Sequence, residues 1–268
     1  MTEALRTSVG HGGYGDSQYF GYALLAELAG RDGFFSVLAL ALGGRRLTRD
    51  EEALLDDAST CALSPDPRIW PLKIVRLVSS FGGTLAGLAA GVAWLEGARV
   101  GPWPAGDAAE LLRELKAIAA GEESASALRA AVQARLDAGA RFPGFGVPFR
   151  DEDERVVALG RCVDRRGFSD GAHWQLVIQL DALMVEVGGP RLNIDGAIAA
   201  VALDLGMAAE QVRVLTTVLL LNNLVANAVE GAAQRPGVLR RLPQDAATYA
   251  GPPPRLSPRA AQARDAAR

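Results

Sequence analysis

The sequence predicts an all-α protein. Two observations favour this class: apolar residues recur at spacings of three and four along most of the chain, and no run of strict alternation between apolar and polar residues is long enough to form a central strand. The 268 residues, 49% of them hydrophobic, are enough to bury a large core in one domain or in two closely joined domains.

A helix with a recognisable start follows Leu47. Thr48 stands at a favourable N-cap position, and Glu51 follows three residues later, which is the spacing of a capping box. Three prolines within 65–71 then interrupt the chain, because proline disrupts the interior of a helix. The next helix is therefore predicted at 72–80.

Asp107 is predicted to cap a helix at 108–119, with Glu110 placed for the reciprocal capping bond. The apolar spacing predicts further helices at 122–138, 156–166, 173–187, 195–205 and 210–233. After residue 241 the chain is rich in proline, alanine and arginine and has little periodic apolar content, so 242–268 is predicted to be a disordered tail.

The most apolar stretches, 82–95 and 212–221, are shorter than the roughly 20 residues that cross a bilayer as a helix. They are predicted to be buried core helices, and no membrane partner is expected. The formal net charge of -3 comes from well-mixed charges with no basic and aromatic cluster, so no nucleic-acid partner is expected either. The N-terminus lacks a basic segment followed by an apolar one, which predicts a cytoplasmic protein.

Cys61 and Cys162 are far apart in sequence and lack metal-ligand spacing, so they are predicted to be small core residues rather than a disulfide. His11 and His173 are the only histidines, which excludes a histidine-rich metal site. His11 lies in a glycine-rich segment predicted to be a mobile N-terminal loop, or alternatively to fold over a ligand. His173 is predicted to pack or face solvent on its helix.

Four segments have the order and spacing of motifs in one enzyme family. They are FGYALLAELAGRDGFFSVLALALGGRRLTRDEEALLDD from Phe20, GPWPAGDAAELLREL from Gly101, FPGFGVPFRDEDER from Phe142 and RLNIDGAIAAVALDLGM from Arg191. These segments resemble the R-G-Y, G-P-L-H-G-G-A, G-F-G-H…D-P-R and P-N-V-D segments of the citrate synthase and citryl-CoA lyase family. The chain is thus similar to a family that joins acetyl-CoA to a 2-oxo acid or reverses that reaction.

The resemblance implies a large helical domain with a smaller helical domain inserted into it and substrate in the cleft between them. The large domain would comprise 1–104 and 206–241, and the small domain 105–205. The resemblance also implies a homodimer formed by the large domains, or a heterodimer with an active homologue. It implies no certain cofactor and no metal, with a small carboxylate or a coenzyme A (CoA) thioester as the substrate.

Asp195 corresponds to the family aspartate that removes a proton from the thioester methyl group. The alternative for Asp195 is an ordinary helix N-cap, since aspartate is a favoured cap residue. The family histidines are absent: Pro104 and Val147 occupy two of their positions and Asp66 a third. Neither Pro104 nor Val147 can donate a side-chain hydrogen bond to an enolate or a carbonyl oxygen.

The resemblance assigns Arg155 to the substrate carboxylate and Arg150 to the phosphate of CoA, although neighbouring acids in RDEDER can pair with both arginines. Asn193 and His11 are further candidates for substrate binding. Asn222, with Asn223 and Asn227, interrupts an apolar helix, and these amides face either the cleft or a dimer interface.

Two functions follow as hypotheses. The first is a citrate synthase-like enzyme repurposed for aldol, Claisen or related chemistry on a small carboxylate, with Asp195 as general base. The second is an inactive homologue that acts as a binding or regulatory subunit.

Overall fold

The computed structural model describes residues 6–15, 17–97, 101–120, 124–147, 152–234, 245, 248–252, 255 and 257–266. Residues 1–234 form one compact unit and residues 235–268 form a second. The helices of the first unit are α1 (Phe34–Ala41), α2 (Arg49–Cys61), α3 (Trp70–Gly82), α4 (Thr84–Trp94), α5 (Pro102–Ile118), α6 (Ser124–Asp137), α7 (Glu154–Arg165), α8 (Ala172–Glu186), α9 (Ile194–Asp204), α10 (Ala209–Leu219) and α11 (Leu221–Ala233). The all-α prediction is therefore confirmed.

A small antiparallel sheet precedes the helices. Its strands are β1 (Gly10–His11), β2 (Gln18–Tyr19) and β3 (Tyr22–Ala23), in the order β1-β2-β3. The segment that contains His11, predicted to be a loop, is thus partly a strand, because its backbone pairs with Gln18. A single π-helical turn follows β3.

The start of α2 is as predicted. The Thr48 hydroxyl accepts a hydrogen bond from the Glu51 N–H at 3.3 Å, and the Glu51 carboxylate accepts one from the Thr48 N–H at 2.7 Å. The start of α5 differs from the prediction, because its N-cap is Gly101 and not Asp107. Proline is tolerated in a first helical turn, where its missing N–H would have no partner inside the helix.

The helical segment at the C-terminal end of the first unit has nearly the predicted bounds of 210–233, but its apolar part is longer than the predicted stretch 212–221. α10 and α11 are separated only by Leu220, and Ala209–Ala233 is long and apolar enough to cross a membrane by length and composition. The core helix of a soluble protein passes the same test, and 44% of the most apolar window is buried. These two helices pack against α3, α4, α5 and α9.

The buried hydrophobic side chains described in the first unit form two clusters. The larger one is centred on α9, where every residue from Gly196 to Leu203 is buried. Helices α5, α8 and α10 surround α9, and its small residues allow them to approach closely. The smaller core joins α3, α4 and α11 through Leu72, Val75 and Leu224. The division of this unit into a large and a small domain stays a prediction.

The second unit contains α12 (Pro258–Ala266) within the stretch for which the composition predicted a disordered tail. The side chains described there are exposed.

Candidate active site around Asp195

Asp195 lies in the first turn of α9 but does not cap it. The N-cap is Asn193, whose side-chain oxygen accepts hydrogen bonds from the N–H groups of Asp195 at 3.0 Å and Gly196 at 3.2 Å. The alternative that Asp195 is an ordinary N-cap is therefore wrong. Its carboxyl group is left available for other contacts.

The surroundings of Asp195 favour the protonated carboxyl group. Burial is the largest effect and raises the pKa of Asp195 to about 7, although the side chain keeps some exposure to solvent. The positive charge of Arg155 lowers this pKa, the negative charge of Asp153 raises it, and a hydrogen bond from the Gly101 backbone lowers it. Both protonation states are thus populated near neutral pH.

Gly101 reaches Asp195 because the N-termini of α5 and α9 meet. These helices pack against each other, and Gly101 has a φ of 69°, in the left-handed region that favours glycine. The segment before α9 is fixed in a similar way. The Asn193 amide donates to the Gly146 carbonyl at 3.0 Å, and the Asn193 N–H donates to the Gly144 carbonyl at 3.0 Å.

Arg155 lies beside Asp195. The carboxylate that holds Arg155 in place belongs to Asp153, at the start of the same helix, α7. The Arg155 Nε and Nη2 donate to the two oxygens of Asp153, each at 2.8 Å. Asp153 is the N-cap of α7, is completely buried at its side chain, and also accepts the N–H of Ile194 at 3.0 Å. Asp153 therefore joins the start of α7 to the start of α9 and orients Arg155.

A polar network continues from Arg155 to α11. The Arg155 Nη1 donates to the Ser64 hydroxyl at 3.0 Å, and the Ser64 N–H donates to the Asn223 side chain at 3.3 Å. The Asn227 amide donates to the Asn223 carbonyl at 2.9 Å and its oxygen accepts from Arg76 at 2.7 Å. The buried amides of α11 therefore support the loop that contacts Arg155.

In the part of the chain that the structure describes, these bonds use three of the five N–H donors of the Arg155 guanidinium group. The prediction that acids next to Arg155 pair with it is confirmed for Asp153. The pairing is buried, however, and differs from a solvated ion pair at the surface.

The three positions at which the sequence resemblance leads one to expect histidines contain groups with little donor capacity. Pro104 is buried in the first turn of α5, and Val147 is half-buried just after Gly146. Asp66 forms an exposed ion pair with Arg68, and that guanidinium lowers the pKa of Asp66 to about 2.

The other predicted site residues lie apart or serve other contacts. Asn222 is exposed on α11, and His11 is exposed on β1. Asn193 serves as the cap described above, and Arg150 lies outside the described residues. His173 is partly buried: its Nδ1 contacts Asp204 at 2.7 Å and its Nε2 contacts Lys116 at 3.3 Å.

Sequence reasoning missed Gly101 and Ser64 as parts of the site, and it treated Asp153 only as an acid that can pair with Arg155. The only sequence signal was the position of Asp153 two residues before Arg155, which suits a helix N-cap. Within the described residues, no group of three or more His, Cys, Asp or Glu side chains could hold a metal ion.

No protein-family model and no curated protein matches the chain. Several solved structures are similar to it. Citryl-CoA lyase from Hydrogenobacter thermophilus is 23% identical with a TM-score of 0.80, covering 97% of this chain and 100% of that one. ATP citrate lyase from Methanothrix soehngenii, solved with citrate and coenzyme A, is 19% identical with a TM-score of 0.74, covering 97% of this chain and 43% of that one.

Citrate synthase from Thermotoga maritima is 17% identical with a TM-score of 0.64, covering 82% of this chain and 58% of that one. At these identities the likeness establishes the fold. The resemblance found in the four sequence motifs is thereby confirmed as a citrate synthase-like all-α fold.

Proposed function

We propose that this chain is a citrate synthase-like enzyme that forms or cleaves a C–C bond in a small carboxylate linked to CoA, with Asp195 as the proton-transfer group. One observation supports this most strongly: a partly buried carboxyl group with a pKa of about 7 lies beside the guanidinium group of Arg155. A general acid or base works best when its pKa is near the working pH.

In bond formation, ionised Asp195 takes a proton from the carbon next to the thioester carbonyl. The resulting enolate attacks the acceptor carbonyl, whose oxygen takes up a proton from solvent to become a hydroxyl group. In cleavage, that hydroxyl loses its proton to solvent as the carbonyl forms again, the electrons of the breaking C–C bond form the thioester enolate, and protonated Asp195 returns a proton to the enolate carbon. Arg155 binds a carboxylate of the substrate through the N–H donors that Asp153 and Ser64 leave unused.

Stabilisation of the enolate oxygen must differ from that in the family, because Pro104 and Val147 offer no side-chain donor. Loss of one such donor lowers a rate by about 100- to 1000-fold. We therefore expect standard citrate synthase activity to be very low and the natural reaction to use another acceptor or another thioester.

The similarity to citryl-CoA lyase and to an ATP citrate lyase solved with citrate and coenzyme A supports a CoA thioester as the substrate. Arg150 remains the proposed contact for the CoA phosphate. Asn193, Asn222 and His11 remain proposed contacts for the substrate, with Asn193 acting through its position at the start of α9.

The experiment that tests this proposal is calorimetric titration with acetyl-CoA, free CoA, oxaloacetate and citrate. Dissociation constants on the order of micromolar, weakened in Arg155→Ala, would support a ligand site at Asp195. Arg161→Ala is the matched control, because Arg161 is an exposed arginine on the same helix as Arg155 and is not among the proposed site residues. Failure of all four compounds to bind would contradict the CoA-linked function.

Pro104 and Val147 also favour a second candidate, an inactive homologue that acts as a binding or regulatory subunit. Under this hypothesis ligands bind but are not converted, and Asp195→Asn leaves every measured rate at background. Product analysis of acetyl-CoA and citryl-CoA incubations separates the two functions.

We also propose a homodimer formed through α3, α4 and α11. Large apolar side chains on these helices are exposed, including Phe81 at 61%, Leu85 at 79% and Val229 at 56%. Exposed apolar side chains of this size favour association with a partner surface.

A further inference from the structure

Helices α2 and α7 pack together along a seam that ends at Arg155. Three pairs of side chains face each other along the seam in antiparallel order: Asp57 and Arg166, Cys61 and Cys162, and Ser64 and Arg155. The outer pairs are hydrogen-bonded at 2.5 Å and 3.0 Å. The seam therefore holds the middle pair of thiols together.

The two thiols are close and accessible. Cys61 and Cys162 occupy facing positions between the two hydrogen-bonded pairs and interact electrostatically, and each keeps partial exposure to solvent. They are free thiols near the ends of two different helices. The sequence alone predicted two unrelated core residues.

The surroundings of the two sulfurs differ. Arg165 donates a hydrogen bond to the Cys162 Sγ at 3.3 Å. Burial raises the pKa of the Cys61 thiol to about 11. Because the Cys61 thiol stays protonated at neutral pH, we assign the first attack to Cys162 and the second to Cys61.

We propose that Cys61 and Cys162 form an oxidation site at which a peroxide converts the two thiols into a disulfide joining α2 to α7. The Cys162 thiolate attacks one oxygen of hydrogen peroxide, the O–O bond breaks, and the leaving hydroxide takes up a proton to become water. The sulfur of Cys61 then attacks the sulfenic acid on Cys162 and loses its proton, and the sulfenic oxygen leaves as a second water. One peroxide is reduced and two thiols are oxidised.

The disulfide acts on the candidate active site through the chain. Cys61 is the last residue of α2, and Ser64 follows three positions later where it contacts Arg155. Cross-linking α2 to α7 at this point holds Ser64 against Arg155. It also closes a long loop of the unfolded chain, which stabilises the folded state.

The test uses the full chain and needs no substrate, so its result is independent of the proposed function. The protein is treated with hydrogen peroxide, denatured, alkylated with iodoacetamide and mapped by mass spectrometry. We expect a peptide that contains Cys61 linked to Cys162, a mass lower by two hydrogen atoms, and reversal by dithiothreitol. Melting of the oxidised protein should occur at a higher temperature.

Cys61→Ser and Cys162→Ser are the controls, and neither should gain stability on oxidation. Alkylation of both thiols after oxidation would overturn the proposal. So would disulfides formed only between chains, or Cys162 converted to sulfinic acid without the link to Cys61. If a serine variant does not fold, peptide mapping of the oxidised wild-type protein still shows whether Cys61 and Cys162 form a disulfide.

Discussion

Asp195 titrates near neutral pH only because of where it lies. The carboxyl group has a pKa of about 7 in the folded protein, against an ordinary value of 3.8. Between these values the folded state holds a proton that the unfolded chain has released. The stability from this protonation is therefore lost as the pH rises from about 4 to about 7.

Asp195→Asn is expected to increase the free energy of unfolding at pH 8, because it removes a buried charge. Each pKa unit corresponds to about 1.4 kcal/mol, so the gain is at most about 4 kcal/mol. The gain in the free energy of unfolding should fall to nearly zero near pH 4. Denaturant unfolding at several pH values measures this, and a gain independent of pH would contradict the assigned pKa.

Asp66→Asn is the control for this series. Asp66 is an exposed carboxylate paired with Arg68, and its pKa is lowered rather than raised. Because exposed ion pairs contribute little, its replacement should change stability only slightly and in the opposite direction.

Arg155→Ala is expected to destabilise the protein by about 3–5 kcal/mol, because it leaves the completely buried Asp153 carboxylate unpaired. It should also raise the pKa of Asp195, since the charge of Arg155 lowers it. Denaturant unfolding and a carboxyl NMR titration measure the two effects. In the double variant with Asp153→Asn, the loss should be smaller than the sum of the single losses; additive losses would exclude the pairing.

At the scale of elements, the site depends on where α5, α7 and α9 begin. Gly101, Asp153 and Asn193 are the N-caps of these helices, and each has a contact that joins the site. Helix starts present N–H groups that lack partners inside the helix, so they attract carboxylate and amide oxygens.

Asn193→Ala is expected to cost about 1–2 kcal/mol, because α9 loses its cap and Gly146 loses a hydrogen bond. Asn193→Ser should cost less, since serine keeps an acceptor for the helix N–H groups. Thermal and denaturant unfolding compare the two variants. Equal losses would mean that the cap is unimportant, and Asn222→Ala serves as the control at an exposed helical position.

At the scale of the whole molecule, the exposed apolar residues of α3, α4 and α11 predict a dimer. Leu85→Glu is expected to shift the protein toward the monomer, because it places a charge in the proposed interface. Sedimentation equilibrium measures the shift. Val185→Glu on α8 is the matched control, since Val185 is likewise an exposed apolar residue, with 56% of its surface accessible to solvent. A monomeric wild-type protein would contradict the proposal.

The sequence by itself determined the helical class, the capping box of α2 and the resemblance to the citrate synthase fold. Apolar spacing and capping are local properties, so they can be recognised without knowledge of tertiary contacts. The sequence could not place the start of α5, because Pro102 and Pro104 disrupt a helix interior but suit a first turn.

The tertiary structure decided which candidate residues meet. Asp195 could be a cap or an acid until Asn193 was found to cap α9. The packing of α2 against α7 brings Ser64 to Arg155 and Cys162 to Cys61. Burial, pKa and the partners of an arginine depend on segments far apart in the chain. For this reason the sequence could name Asp195 and Arg155 but not the environment that defines their chemistry.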